Sequence, residues 1–233
     1  MKILGLDSSG LVAGVAVVED DNLLAEYTVN YKKTHSQTLL PMLDEIAKMI
    51  ELDLNTIDAI AVAGGPGSFT GLRIGSATAK GLGFALNKPL IHIPTVEGLA
   101  YNLWNSRELV CPLMDARRNQ TYTGLYAFHQ GRLQVLEPQC AVGIDEIVNK
   151  INERNCSVIF LGDGVSVFRS FIQERCQVPY SFAPAHLNKQ RAAAVAALGL
   201  IYYQEGKVQT AAEHKPDYLR LSQAERERLE NQC

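Results

Sequence analysis

One order of segments occurs twice in this chain, and it constrains the fold more than any other feature. An apolar strand ending in Asp, Lys2–Asp7, is followed by strands at 12–18 and 23–29, a helix running to about Ile50, and a strand at 57–63. A glycine-rich loop at 64–71 and a helix at 72–86 complete the series. Leu109–Asp115, a second apolar strand ending in Asp, opens the same order again. Strands at 121–128 and 133–142, a helix at 144–154, a strand at 158–161, the turn Gly162-Asp163-Gly164 and a helix at 165–175 follow it. The copies share Leu-Gly-Leu-Asp7 against Pro-Leu-Met-Asp115 and little other identity. Such a duplication implies an α/β protein of two similar domains, each built on its own mixed sheet. The break falls at 105–108, giving a domain at 1–106 and a degenerate copy at 107–191. A strand at 90–93 and a helix at 95–104 close the first copy. One more apolar helix lies at 192–204, and 207–233 reads as a polar tail.

Composition excludes several classes. The chain has 233 residues, 47% hydrophobic and 20% charged, with a net charge of −3. A chain of this length can bury two cores. The charge leaves no overall electrostatic footprint for nucleic acid or an anionic membrane. No apolar run approaches the ~20 residues of a membrane span, and the N-terminal run is too short for a signal peptide. Five scattered cysteines, never spaced as Cys-x-x-Cys, fit a reducing compartment and argue against a zinc or disulfide framework. The expectation is a soluble cytoplasmic protein.

Two polar motifs invite a chemical reading. An Asp at the end of a first strand, followed by small hydroxyl residues, can approach nucleotide phosphates or their metal. Asp7-Ser8-Ser9 has that form, although short Asp-Ser turns commonly satisfy their own backbone. The loop Gly64-Gly65-Pro66-Gly67-Ser68-Phe69-Thr70-Gly71 joins a strand to a helix, where backbone N–H groups can hold an anion. It is not a Walker loop, because Leu72-Arg73 follows Gly71, and it lacks the third glycine of a dinucleotide fingerprint. Its glycines read equally well as a tight connection that needs positive φ and close packing.

Two helices carry a different signal. Leu39, Leu40, Met42, Leu43, Ile46, Ala47, Met49 and Ile50 span roughly 180° of arc, where a surface helix needs about 100°. In the second helix Arg73 and Lys80 are the only charges, and Gly75, Ala79 and Gly83 recur every fourth residue, as do Ala77 and Gly81. Either both helices are deeply buried, or each has one face for the core and one for a partner. Under the second reading the contact residues are Leu39, Met42, Leu43, Ile46 and Met49, with Leu72, Gly75 and Ala79. The five histidines never stand at His-x-x-x-His spacing, no Gly-x-Ser-x-Gly elbow occurs, and no general acid–base pair emerges. Cys111 reads as core, and Arg117-Arg118 as a solvated pair or a phosphate contact.

Four stretches together resemble a family. They are Met1-Lys2-Ile3-Leu4-Gly5-Leu6-Asp7-Ser8-Ser9, His35-Ser36-Gln37 with Leu39-Leu40-Pro41, the glycine loop with its continuation Leu72-Arg73-Ile74-Gly75, and Pro216-Asp217-Tyr218-Leu219-Arg220. They look like TsaB, the dimerisation subunits of the bacterial machinery that adds threonylcarbamoyl to adenosine beside the tRNA anticodon. The likeness is specific over residues 1–105 and thins afterwards. It implies an actin-like ATPase (ribonuclease-H-like) fold, with the helix near 192–204 joining the first domain. It also implies a non-catalytic scaffold, without a cofactor, that pairs through the two helices with a catalytic sister, TsaD. A small P-loop ATPase, TsaE, and tRNA would join that complex, and the isolated chain could form a homodimer. In the sister, two histidines bind the catalytic metal where this chain has Thr95 and Leu99, which cannot replace imidazoles around a transition metal. The sister's second-half nucleotide loop has at most Gly162-Asp163-Gly164 as a remnant here. Any residual nucleotide contact would then fall to Asp7, Ser8, Ser9, Gly65 and Gly67. The rival readings are an actin-like phosphotransferase using those residues, and a protease, for which no nucleophile–base pair is present.

Overall fold

The computed structural model describes residues 1–31 and 35–220. Thr34, which the sequence offers with Gln37 as a capping box for the first helix, and the part of the polar tail after Arg220 lie outside the described residues.

The repeated order folds into two five-stranded sheets. The first runs β3(Asn22–Val29)-β2(Ala13–Glu19)-β1(Lys2–Asp7)-β4(Ala59–Gly65)-β5(Leu90–Pro94), and the second β10(Tyr180–Phe182)-β9(Val158–Leu161)-β6(Leu109–Asp115)-β7(Gln120–His129)-β8(Arg132–Gly143). Each sheet thus pairs its first three strands antiparallel and adds two parallel strands beside the Asp-ending one. Parallel neighbours need covered faces, which is why β1 and β4 read as unbroken apolar runs rather than alternating ones. β10 has only three residues, too few for any periodicity to show, and the sequence pattern does not reveal it.

Helices α1(Leu39–Met49) and α2(Phe69–Leu86) cover one face of the first sheet. There Leu39, Met42, Leu43 and Ile46 of α1 meet Leu6, Val15, Val17 and Val62. Pro41 is the third residue of α1, where its missing N–H is no loss. α2 opens three residues earlier than its pattern predicts, because the Ser68 hydroxyl accepts the Gly71 N–H at 3.3 Å and caps the helix inside the glycine loop.

The other face is covered by α6(Ala192–Gln204), apolar on all sides, which packs on β1, β2 and β4. Its N-terminus is capped from outside: Glu26 of β3 accepts the Ala193 N–H at 3.1 Å and pairs with Arg191. α4(Ile144–Arg154) and α5(Gly164–Arg175) line one face of the second sheet. Between the halves lies the short α3(Thr95–Tyr101), with Val96, Leu99 and Ala100 packed against Val110, Met114 and Tyr126 of the second sheet.

Candidate functional site

The two Asp-ending strands deliver their turns to opposite walls of one cleft of about 580 Å³. Ser9, Gly10 and Leu11 come from the first turn, and Gly67, Ser68 and Phe69 from the start of α2. Asp115, Ala116, Arg117 and Arg118 come from the second turn, with Asp163, Lys189, Asp217 and Arg220 nearby. Cations and carboxylates of the second half, of the connection at Lys189 and of the C-terminal segment therefore face the uncharged turns of the first half across one opening.

The first wall spends its polar atoms internally. Asp7 is 3% exposed, and its Oδ1 accepts both the Ser9 N–H at 2.8 Å and the Ser9 Oγ–H at 2.6 Å. Burial pushes its carboxyl above the usual range, against those two hydrogen bonds. The Ser8 hydroxyl donates to the Gly71 carbonyl at 2.8 Å. Of the five residues named for a residual nucleotide contact, Ser9 and Gly67 line the cleft and Asp7, Ser8 and Gly65 do not, while Arg117 and Arg118 line its other wall.

Close packing accounts for the glycine loop. A Cβ on Gly67 or Gly71 would collide with the Ser9 or Ser8 carbonyl oxygen, and one on Gly64 would enter the His92 ring. Gly65 has φ +124°, and a Cβ there would strike the Asp217 carbonyl. The Gly65 N–H is taken by the Thr95 hydroxyl at 3.0 Å, and the Gly64 carbonyl by the Asp217 N–H at 2.6 Å. Gly67 and the helix start still face the cleft.

Across the cleft, Asp115 accepts the Arg117 N–H at 2.8 Å and pairs with its guanidinium at 3.3 Å. Arg117, Arg118 and Asn119 all take left-handed backbone, with φ of 66°, 54° and 58°. Asp163 accepts the Asp115 N–H at 3.3 Å, and burial holds its carboxyl above the usual range. A Cβ on Gly162 would meet the Leu113 carbonyl, so this turn too is shaped by packing.

Thr95 and Leu99, the two positions singled out through the family resemblance, are both engaged internally. The Thr95 hydroxyl holds the Gly65 N–H, and Leu99 is 1% exposed in the core between the halves. No group of three or more His, Cys, Asp or Glu among the described residues is placed to hold a metal ion. No described helix is long and apolar enough to cross a membrane.

The partner surface needs correction. Leu39, Met42, Leu43 and Ile46 of α1, with Leu72, Gly75 and Ala79 of α2, are all buried against the first sheet. A Cβ on Gly75 would lie 2.5 Å from Ser8 Oγ. The stripe that suggested close approach to a partner is instead how α2 approaches the Ser8 turn and β4. Of the eight contact residues read from the sequence, Met49 alone is open, at 82%. The outward side of α1 carries Leu40 and Met49, and that of α2 carries Arg73, Ala77, Gly81 and Phe84. A Cβ on Gly81 would meet nothing within 4 Å. The physical reason is that a sheet this wide consumes one full face of each helix, so only the residues beyond that arc remain.

Sequence reasoning singled out neither Asp163, Lys189, Asp217 nor Arg220 as site residues. They converge only through the fold, and the one local signal was Pro216–Arg220 as part of the family likeness.

Comparison with known proteins fits this geometry. The model of the family described as TsaD, tRNA N6-adenosine threonylcarbamoyltransferase, matches residues 22–228. The Bacillus subtilis (strain 168) tRNA threonylcarbamoyladenosine biosynthesis protein TsaB is 33% identical over 232 residues, covering all of both chains. The chain belongs to the TsaB family. The solved structure of YeaZ from Pseudomonas aeruginosa superposes with a TM-score of 0.78 at 25% identity, covering 94% of this chain and 99% of that one. A Thermus thermophilus ROK hexokinase shares the fold, with a TM-score of 0.50 at 13% identity over 87% of this chain and all of that one. The TsaB likeness and the two mixed sheets together make this an actin-like α/β fold.

Proposed function

We propose that this chain is a non-catalytic subunit in tRNA threonylcarbamoyladenosine biosynthesis, acting as a scaffold that pairs with a catalytic TsaD-type sister. The observation that carries the reading is the outer side of α2, where Ala77 and Gly81 form a shallow exposed ridge between Arg73 and Phe84. Beside it α1 exposes Leu40 at 53% and Met49 at 82%. Small residues four apart let a second helix approach closely, and large apolar residues flanking them exclude water from the contact. The pairing surface is therefore the outward side of α1 and α2, in place of the inward residues that the sequence favoured. Two further features support a non-catalytic role. Thr95 and Leu99 stand where the sister carries imidazoles, and the Asp7 carboxylate is buried and bonded to Ser9.

In this reading a small P-loop ATPase (TsaE) and tRNA join only through the assembled complex, in the cytoplasm. The same ridge permits a homodimer about a two-fold axis when the sister is absent. Co-purification of the chain with the sister subunit from its own cell tests the proposal. Recovery of a one-to-one complex is expected, and absence of the sister from the purified material overturns it.

The phosphotransferase reading keeps one supporting observation, the cleft itself with Arg117, Arg118 and Lys189 on its walls. Against it stand the inward engagement of Asp7 and the filled glycine loop. Calorimetric titration of the isolated chain with ATP separates the readings: weak or undetectable binding is expected, and low-micromolar binding would restore the rival.

A further inference from the structure

We infer that Asp217–Arg220 form an internal clasp that holds the two halves of the molecule at one relative orientation across the cleft. The inference is independent of the proposed pairing.

Two stretches of chain cross between the halves, residues 102–108 leading into β6 and residues 183–191 leading into α6. They are pinned together: Asn102 Nδ2 donates to the Leu187 carbonyl at 3.0 Å and to the Lys189 carbonyl at 2.6 Å. Two crossings tied at one place make a hinge, about which packed halves can open and close.

The C-terminal segment bridges the halves a third time, without covalent continuity. On the first half, the Asp217 N–H donates to the Gly64 carbonyl at 2.6 Å, and the Tyr218 ring lies 4.6 Å from that of Phe69. Phe69 is itself covered by the Arg73 guanidinium at 4.1 Å. Gly65 leaves room for the Asp217 carbonyl, which any side chain would displace. On the second half, Gln139 Nε2 donates to Asp217 Oδ2 at 3.1 Å, and the Arg220 guanidinium donates to the Ala116 carbonyl. Arg220 also reaches the Arg117 carbonyl at 3.5 Å. Asp217, Tyr218 and Arg220, within four consecutive residues, therefore hold a turn from each half.

The Arg220 contact falls on a costly piece of backbone. Two arginines in succession, followed by an asparagine, occupy the left-handed region at 117–119, which disfavours residues with a Cβ and is maintained only where neighbours impose it. Asp115 grips this turn from inside, and Arg220 grips its leading carbonyls from the strap. Releasing the strap removes one of those two constraints while also freeing the Gly64–Gly65 edge.

Hydrogen exchange by mass spectrometry on the full chain tests this, with the Tyr218→Ala/Arg220→Ala double variant and Arg220→Ala alone. The wild-type Asp217 amide, bonded to the Gly64 carbonyl, should exchange slowly. In the double variant, exchange at 64–70 and 116–120 should rise about tenfold together, with helix content by circular dichroism unchanged. An unprotected Asp217 amide in the wild type, or its acceleration in the double variant with both turns unaffected, would overturn the clasp. Should the double variant fail to fold, Arg220→Ala alone must still accelerate exchange at 116–120. No change there would equally overturn it.

Discussion

Gly65 and Gly81 mark the two extremes of what glycine does in this chain. At Gly65 the backbone has φ +124° and no space for a Cβ. Gly65→Ala should cost at least about 1–3 kcal/mol from the backbone alone, read as a lower urea midpoint. Gly81 sits on an exposed helical turn with nothing within 4 Å of a Cβ. Gly81→Ala should therefore stabilise the isolated chain by roughly 0.5–1 kcal/mol. Equal shifts of the same sign at the two sites would contradict both assignments. A third residue sets an acid limit. His214 is buried, with its pKa pushed down to about 4 by burial first and then by His92 and Lys80. The unfolded imidazole takes a proton near pH 6.5, so the neutral folded form contributes stability above that value and loses it as pH falls towards 4. His92 has the same sign, also through burial, whereas Asp7, raised by burial, has the opposite one. Replacing His214 with Gln should flatten the fall in melting temperature between pH 7 and pH 4.5; an unchanged profile would remove His214 from the account. Sequence reading reached Asp7 because its partner Ser9 is two residues away and the turn is local. It did not single out Lys189 or Arg220, whose place at the cleft depends on strands more than a hundred residues from the first turn.

At the scale of elements, the duplicated order was legible because each copy opens on an apolar strand punctuated by Asp. Strand identities followed from apolar runs and turn residues, α1 and α4 from helical periodicity, and α6 from an apolar run too long for a strand. The orientation of α1 and α2 was not legible. A wide apolar arc and a small-residue stripe are the same signal whether the helix meets a sheet or another protein. Packing decides it: α2 turns Gly75 and Ala79 towards Ser8 and the sheet, and leaves Ala77 and Gly81 outside. Thermal melts can check this helix by helix. Met42, 4% exposed, should cost about 2–5 kcal/mol when replaced by Ala. Met49, 82% exposed, should change stability by less than about 0.5 kcal/mol when replaced by Ser. Similar losses at both would mean that α1 sits rotated from the orientation described.

At the scale of the molecule, two sheets meet at α3, a hinge pinned by Asn102 and a strap across the cleft give the chain a fixed shape. A fixed shape suits a subunit that presents a surface better than one that must close on a substrate. The central claim is that the exposed ridge of α2, and not its buried stripe, is that surface. Calorimetric titration of the catalytic sister with the Gly81→Trp variant tests it most directly, because Trp at an open position leaves the monomer intact while blocking close helix approach. The account predicts a normally folded variant, by circular dichroism, that no longer pairs with the sister. Wild-type affinity in the folded Gly81→Trp variant would contradict it.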